Sequence, residues 1–418
     1  MIDLKAARAN PDQFRAALVR RGAAEELDRL LEIDFEFRRL QQRIEELRAQ
    51  RKPKGKPSSA EIARLTDAKR ELQELEEQLG PLEEEKRRLL ALIPNLPDPE
   101  APDGWTDEDA VELRRVGVAP SLPSPKDALE LGAPFGWIDV ERGARVSGSR
   151  FVYRRGDAAL LELSLYRWAL DRLVQKGFEP VLPPVLVREE AMYGTGFLPT
   201  EESNLYRLDE RDRLYLAGTS EVALAALHMG EILEDLPLRY AGFSTNFRRE
   251  AGAAGKDTRG MFRVHQFDKV EMYVYTTPDD SREEHERLLA IEEELVGELG
   301  LPYRVVDVAA GDLGASAARK FDIEAWFPSQ ERYREITSCS NTTDYQANRM
   351  QIRFRPGGRG TASVHTLNGT AVTARAMLAV LENFQDEAGT VAVPECLVAH
   401  GAPLRLGSLA GSGVEQRA

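Results

Sequence analysis

YAGFSTNFRREAGAAGKDTRGMFRVHQFDKVEMYVY, from Tyr240 to Tyr275, reads as two strands joined by a turn-rich loop. In its second half Arg263, His265, Phe267 and Glu271 share one parity, and Phe262, Val264, Val270, Met272 and Val274 share the other. A period of two is that of a strand, so the pattern predicts one oily face and one chemical face. Arg248 and Glu250 share a parity in the first half, and Ala251 to Gly260 carries the glycines of a long hairpin loop. Guanidinium groups pair phosphate and carboxylate oxygens bidentately, an aromatic face stacks on a base, and a carboxylate accepts from an ammonium or a base amino group. The set fits ATP together with an amino acid. One Arg or Glu on a half-buried strand is ordinary wet-face chemistry, but several such groups in matching register are not.

The chain around this stretch has 418 residues, of which 42% are hydrophobic and 30% charged, enough for two or three domains with a sizeable core. The net charge of −14 argues against indiscriminate nucleic-acid binding, so any such contact must rest on a local basic patch. Cys339 and Cys396 are too few and too far apart for a disulfide framework or a four-ligand zinc site. No zinc is expected, and a reducing cytoplasm is the expected setting. The opening MIDLKAARANPDQF lacks an apolar signal core, and no run of roughly 18 apolar residues follows, so no membrane contact is expected.

Towards the N-terminus, Leu30, Ile33, Phe37, Leu40, Ile44 and Leu47 step by three and four, the seam of a coiled coil. After KPKGKPSS a second seam runs through Ile62, Leu65, Leu72, Leu75, Leu79, Leu82, Leu89 and Ile93, with a kink expected at Gly80-Pro81. The two predict an antiparallel helical hairpin over about residues 27–93, an arm roughly 35 Å long at about 1.5 Å per residue. Its tip holds Arg48, Arg51, Lys52, Lys54 and Lys56 with no acidic residue, an isolated basic patch on an acidic chain. PNLPDPEAP, Pro94 to Pro102, cannot continue a helix and reads as a linker, so the expected division is an arm over 1–105 and a body over 106–418.

To about Arg145 the body opens as irregular chain with short strands. An amphipathic helix is predicted from Leu160 to Lys176, with Leu163, Leu165, Trp168, Leu170 and Leu173 on its apolar face, followed by a strand in GFEPVLPPVLV whose two prolines favour an edge or an interface. LAGTSEVALAAL opens a helix with Thr219 and Ser220 as caps and Glu221 in the first turn. Ser281 to Gly300 reads as a further helix, and in HTLNGTAVTARAMLAVLENFQ a helical period through Met377, Val380, Leu381 and Phe384 leaves Arg375 near a helix start, where it can project towards phosphate. The tail from His400 is rich in Gly, Ala and Ser and is expected to be mobile.

FRREAG, GKDTRG and RVHQFDKVE together resemble motif 2 of the class II aminoacyl-tRNA synthetases, in the form found in seryl-tRNA synthetases. GFEPVLPPVLV, taken with the helix before it, resembles motif 1, RYREITSCSN matches the run that holds ATP in the family, and HTLNGTAVTARAM resembles motif 3. The resemblance implies an α+β fold: an antiparallel-sheet class II catalytic core with an N-terminal coiled-coil arm that reaches the long variable arm of tRNA. It implies Arg248 and Arg375 as catalytic residues, with Arg249, Glu250, Arg263, Phe267, Glu335, Ile336, Thr337 and Ser338 joining them on ATP. Glu335 and Ser338 would hold Mg2+ against the phosphates, and Thr219, Ser220, Glu221, Glu271 and Thr370 would receive L-serine. The basic tip would touch tRNA(Ser), tRNA(Sec) stays open as a second acceptor, and motif 1 implies a homodimer. Two departures stand out: Arg249 replaces a Ser common in the family, and Asn368 to Arg375 is one residue shorter than in many members.

The Gly255-Lys256 pair is not a P-loop, because Glu250 occupies the first glycine position and Asp257 the Ser or Thr position. GxGxxG, HExxH and the class I signatures HIGH and KMSKS are missing, and His265 and His365 read as strand or loop hydrogen-bonders. The alternatives are a serylating paralogue in a specialised pathway, an amino-acid:carrier-protein ligase, which the arm disfavours, and a silent scaffold, which the intact Arg and Glu set disfavours.

Overall fold

The computed structural model describes residues 1–50, 58–251, 257, 260–358 and 360–407. Met1–Pro99 and Glu100–Ala418 form two compact units.

In the first unit, two short helices, Leu4–Ala9 and Pro11–Val19, precede α1 (Ala24–Gln50) and α2 (Ser59–Leu92). Leu30, Ile33, Leu40, Ile44 and Leu47 of α1 are buried, as are Leu72 and Leu89 of α2, so the seam drives the pairing. Cross-helix pairs run in the antiparallel sense, with Arg43 on Glu71 at 2.7 Å and Lys86 on Asp34 at 3.1 Å. α2 runs unbroken through Pro81, where the sequence predicts a kink. Asp34, invisible to the heptad reading, is only 1% exposed and also binds Arg8 at 2.8 Å. Burial alone would push its carboxyl up, but Lys86 and Arg8 overcome that and hold it below the usual range.

The second unit is built on eight strands: β1 (Val111–Val116), β2 (Glu179–Val181), β3 (Leu238–Phe247), β4 (Gln266–Thr276), β5 (Tyr303–Asp307), β6 (Arg319–Phe327), β7 (Arg332–Thr343) and β8 (His365–Thr373). They lie in the order β1-β5-β6-β7-β8-β4-β3-β2 and are antiparallel except for the last pair. Five helices pack against this sheet: α3 (Asp157–Gln175), α4 (Glu221–Ala225), α5 (Ser281–Glu298), α6 (Tyr345–Met350) and α7 (Ala374–Asn383).

Strand alternation sorts the sheet into two faces. Val270, Met272 and Val274 of β4, Phe321, Ile323 and Ala325 of β6, and Leu367 and Ala371 of β8 join Leu165, Trp168, Leu288, Leu295, Met377 and Leu381 from α3, α5 and α7 in one core. The residues between them, Phe267, Lys269 and Glu271 on β4, Lys320 on β6, Ser338 and Ser340 on β7, and Asn368 and Thr370 on β8, line a cavity on the opposite face. Further along that face Tyr273 and Tyr275 are buried with Leu224, Ala347 and Met350, which closes one end.

Several expectations are corrected. β3 stops at Phe247 and β4 starts at Gln266, so Arg248, Glu250, Arg263 and His265 lie outside the strands. GFEPVLPPVLV forms two short strands, β2 and Leu186–Arg188, because Pro183-Pro184 interrupts pairing between them. On α3, Leu163 is 62% exposed, and Glu162 points inward instead to meet Arg154 at 2.6 Å. The expected mobile tail is held through Arg405–Leu406, which pairs with Val391–Ala392 and buries Leu406; residues 408–418 lie outside the described residues. Val111–Val116, with every side chain exposed, carries no inward period, yet pairs with β5 at the sheet edge. Among the described residues, no helix is long and apolar enough to cross a membrane.

Candidate active site

The cavity has a volume of about 350 Å³, within the range of small-ligand sites. Arg248, Phe267, Glu335 and Arg375, far apart in the chain, all line it. Arg248 stands just past β3, tied to His265 by its own N–H to the His265 carbonyl at 3.0 Å and by its carbonyl to His265 Nδ1 at 2.9 Å. Its Nε donates to the Gly218 carbonyl at 3.0 Å, which points the guanidinium over Phe267, 5.5 Å from the ring centre. That carbonyl precedes Thr219, so the turn into α4 and the strand end are locked together. Glu250 follows with φ +52°, a left-handed conformation that turns its carboxylate back to Arg263, 2.6 Å from Nη1. The expected shared strand parity is therefore replaced by a turn, and both residues still reach the cavity.

Met261, Phe262, Arg263 and Val264 also line the cavity, and no alternation operates there because the segment is not a strand. Phe262 lies between two guanidinium groups, with Arg334 at 3.8 Å and Arg375 at 4.6 Å from its centre. Arg334 also pairs with Asp257 at 2.7 Å, which ties the hairpin loop to β7.

Arg375 sits in the first turn of α7, where its backbone N–H is capped by Thr373 Oγ1 at 3.2 Å. Burial alone would raise the Glu335 carboxyl, but Lys320 and Arg375 hold it well below the usual carboxylate range. Its side chain keeps 41% of its surface open to the cavity, so this fixed negative charge can meet a ligand. Lys320, unforeseen from sequence, pairs with Asp322 at 2.9 Å; burial pushes the Asp322 carboxyl up even beside Lys320. Ile336 and Ser338 line the same wall. Thr337 does so too, and its hydroxyl donates to the Thr370 carbonyl.

At the other end, Thr219, Glu221, Glu271 and Thr370 come together. Thr219 Oγ1 accepts from the Glu221 N–H at 3.2 Å, and Glu221 Oε1 accepts from Gln346 Nε2 at 2.8 Å and Asn368 Nδ2 at 3.1 Å. Burial, and then Glu271, push the Glu221 carboxyl up to about 7. Glu271 pairs with the buried Lys269 and lies 3.5 Å from Thr370 Oγ1. Lys269 was legible in principle, since it has the parity of Phe267 and Glu271.

Two expected members do not line the cavity. Ser220 is buried with its hydroxyl 3.4 Å from the Gly242 carbonyl, and Arg249 is exposed, its guanidinium 5.7 Å from the Tyr206 ring. At the arm, Arg48 pairs with Glu76 at 2.7 Å, while Arg51, Lys52, Lys54 and Lys56 lie outside the described residues. His265 hydrogen-bonds as expected, but His365 Nδ1 is buried with no hydrogen-bond partner among the described residues.

An antiparallel sheet that gathers two arginines, an aromatic ring and paired carboxylates on one face is the core of a class II tRNA synthetase, and residues 205–384 match the family model described as tRNA synthetase class II core domain (G, H, P, S and T). Residues 1–97 match that of the seryl-tRNA synthetase N-terminal domain. Serine--tRNA ligases of Thermobifida fusca and Acidothermus cellulolyticus are each 50% identical, over 95% of this chain and 96% and 97% of theirs. Seryl-tRNA synthetase from Pyrococcus horikoshii, solved with ATP, superposes with a TM-score of 0.90 at 40% identity over 97% of this chain and 99% of its own. The cytoplasmic serine-tRNA ligase of Naegleria fowleri, solved with AMP, gives 0.85 at 31% identity over 96% of each chain. The chain belongs to the seryl-tRNA synthetase family.

Proposed function

We propose that the protein is a serine–tRNA ligase. A serine carboxylate oxygen attacks the α-phosphorus of ATP and pyrophosphate leaves; the terminal ribose hydroxyl of tRNA(Ser) then attacks the seryl carbonyl and AMP leaves. This chemistry needs positioning and charge neutralisation more than an acid or base. The observation that carries the reading is the convergence of Arg248, Phe267, Glu335 and Arg375 on one cavity beside the Thr219, Glu221, Glu271 and Thr370 cluster.

In this reading Arg248 takes the serine carboxylate and the α-phosphate, Glu250 and Phe267 take adenine, and Arg263 and Arg375 take the phosphates. Glu221 receives the α-ammonium, and Glu271 with Thr370 and Thr219 receives the hydroxyl end. Mg2+ suits Glu335 and Ser338. A carboxylate held ionised beside a hydroxyl is a hard oxygen pair, and among the described residues no group of three or more His, Cys, Asp or Glu could cage a metal alone, which fits an ion that takes its other ligands from phosphate and water. When bound, it would neutralise charge on the departing pyrophosphate.

The basic tip at Arg48, Arg51, Lys52, Lys54 and Lys56 is the proposed tRNA(Ser) contact, with tRNA(Sec) a second acceptor to test. The exposed apolar side chains of Leu160, Leu163, Leu182 and Leu186 support a homodimer through motif 1. The free thiols of Cys339 and Cys396 suit the cytoplasm. Deleting residues 27–93 tests the division of labour: serine-dependent ATP–pyrophosphate exchange should persist while tRNA charging is lost, and charging that survives the deletion would refute the arm's role.

A further inference from the structure

Glu221 is anchored by neutral amides, and one of them belongs to a residue that does not line the cavity. Gln346, on α6, is fully buried. Its Nε2 faces two acceptors, Glu221 Oε1 at 2.8 Å and the Thr195 carbonyl at 3.4 Å. Its Oε1 faces two hydroxyls, Tyr273 at 2.7 Å and Thr366 at 3.1 Å. A carbonyl oxygen only accepts, so the Thr195 contact fixes which end of the amide is nitrogen. Thr342 extends the chain, its Oγ1 2.6 Å from Thr366 Oγ1 and 2.7 Å from the Thr366 carbonyl. Hydroxyls that load the amide oxygen polarise its N–H and make it a better donor to a carboxylate.

We propose that Gln346 is a positioning residue for the amino-acid substrate: its clamped amide fixes the Glu221 carboxylate in the orientation that receives the substrate's α-ammonium. This rests on the serine-binding reading of the same cavity. The groups facing Glu221 are few. Glu271, Lys269 and Tyr273 come from β4, Arg248 from beyond β3, Asn368 from β8 and Gln346 from α6. Of these, Gln346, Lys269 and Arg248 favour the charged carboxylate, and burial and Glu271 oppose it. Gln346 is the largest of the favourable influences, so its removal should show in how serine binding depends on pH.

The test is steady-state ATP–pyrophosphate exchange by the full-length protein across pH, with serine and ATP varied separately. Gln346→Met keeps the length and apolar volume but loses every hydrogen bond. KM for serine should rise about tenfold or more, the scale of a lost hydrogen bond to a charged group. KM for ATP should not change, and the pH midpoint for serine should move up. Gln346→Glu donates to Glu221 only while protonated, so its serine KM should improve on acidification, opposite to the unmodified protein. Equal effects on both substrates, an unchanged serine KM, or an unaltered pH direction in Gln346→Glu would each overturn the proposal. If the unmodified protein's exchange ignores serine, the functional reading and the proposal fall together, an outcome distinct from failure in the variants alone.

Discussion

Arg375 Nη1 lies 3.1 Å from both the backbone oxygen and the Oε2 of Glu335, so the first turn of α7 is fastened to β7 by one guanidinium nitrogen. The same group also faces Phe262, and its Nε lies 3.4 Å from the Phe262 carbonyl. Three segments that bound this end of the cavity therefore meet at one side chain.

Arg375→Ala should lower ATP–pyrophosphate exchange by about 10²–10³, the cost of removing one preorganised partner of transition-state charge. Arg375→Lys should not restore it, because a point charge cannot reproduce the planar fork whose Nη1 holds Glu335 while its Nε reaches the Phe262 carbonyl. Single-turnover adenylate formation measures this, and near-normal rates in Arg375→Ala would contradict the assignment.

Glu221 sets a pH dependence. Burial and Glu271 raise its carboxyl to about 7, so below that pH it carries a proton and cannot receive an ammonium. The value of kcat/KM for serine should therefore rise as pH increases through about 7, while KM for ATP stays flat. Glu221→Gln should remove the step, weakening serine binding above about pH 7 and converging with the unmodified protein below it.

The parity of Phe267 and Glu271 was readable because both lie inside a real strand, and the core opposite them follows from the same period. Arg248, Glu250 and Arg263 were found by residue type and motif, while their assumed strand geometry fails at Phe247. Lys320 went unread although its partner Asp322 stands two residues on with the same strand parity, because nothing local shows that this face lines the cavity; Gln346 went unread because its partner Glu221, far back in the chain, is chosen by helix docking. Leu163 misled because motif-like apolar spacing does not distinguish a core face from an exposed one, while the bounds of Val111–Val116 were not readable because an exposed edge strand buries no alternating face.

Glu292 on α5 is fully buried, with only Thr337 and Cys339 among the described residues offering hydrogen bonds to its carboxyl. Burial pushes its carboxyl well above the usual range. The folded chain then keeps a proton that the unfolded chain releases above about pH 4.3, so Glu292 subtracts stability as pH rises past that point. Glu292→Gln should be the more stable protein at pH 8 and close to the unmodified one at pH 4, the gap widening by up to about 1.4 kcal/mol per pH unit until the folded carboxyl itself titrates. Thermal melts at both pH values read this out, and a gap that does not grow with pH would contradict it.

In the arm, Asp34→Ala leaves Arg8 and Lys86 without their buried partner and should cost about 3 kcal/mol of arm stability. With its carboxyl held low, Asp34 contributes above its unfolded value near about 3.9, and that contribution is lost as pH falls through the folded value. Helix melting of the variant should therefore differ from the unmodified protein at pH 7 and converge with it in strong acid.

The most direct measurement is ATP–pyrophosphate exchange by the purified protein with serine, threonine, alanine and glycine in turn, repeated with Arg248→Ala. Exchange with serine far above the other three, nearly abolished in the variant, is the predicted result. Exchange that is indifferent to serine, or that survives the loss of Arg248, would contradict the claim that this cavity makes seryl-adenylate.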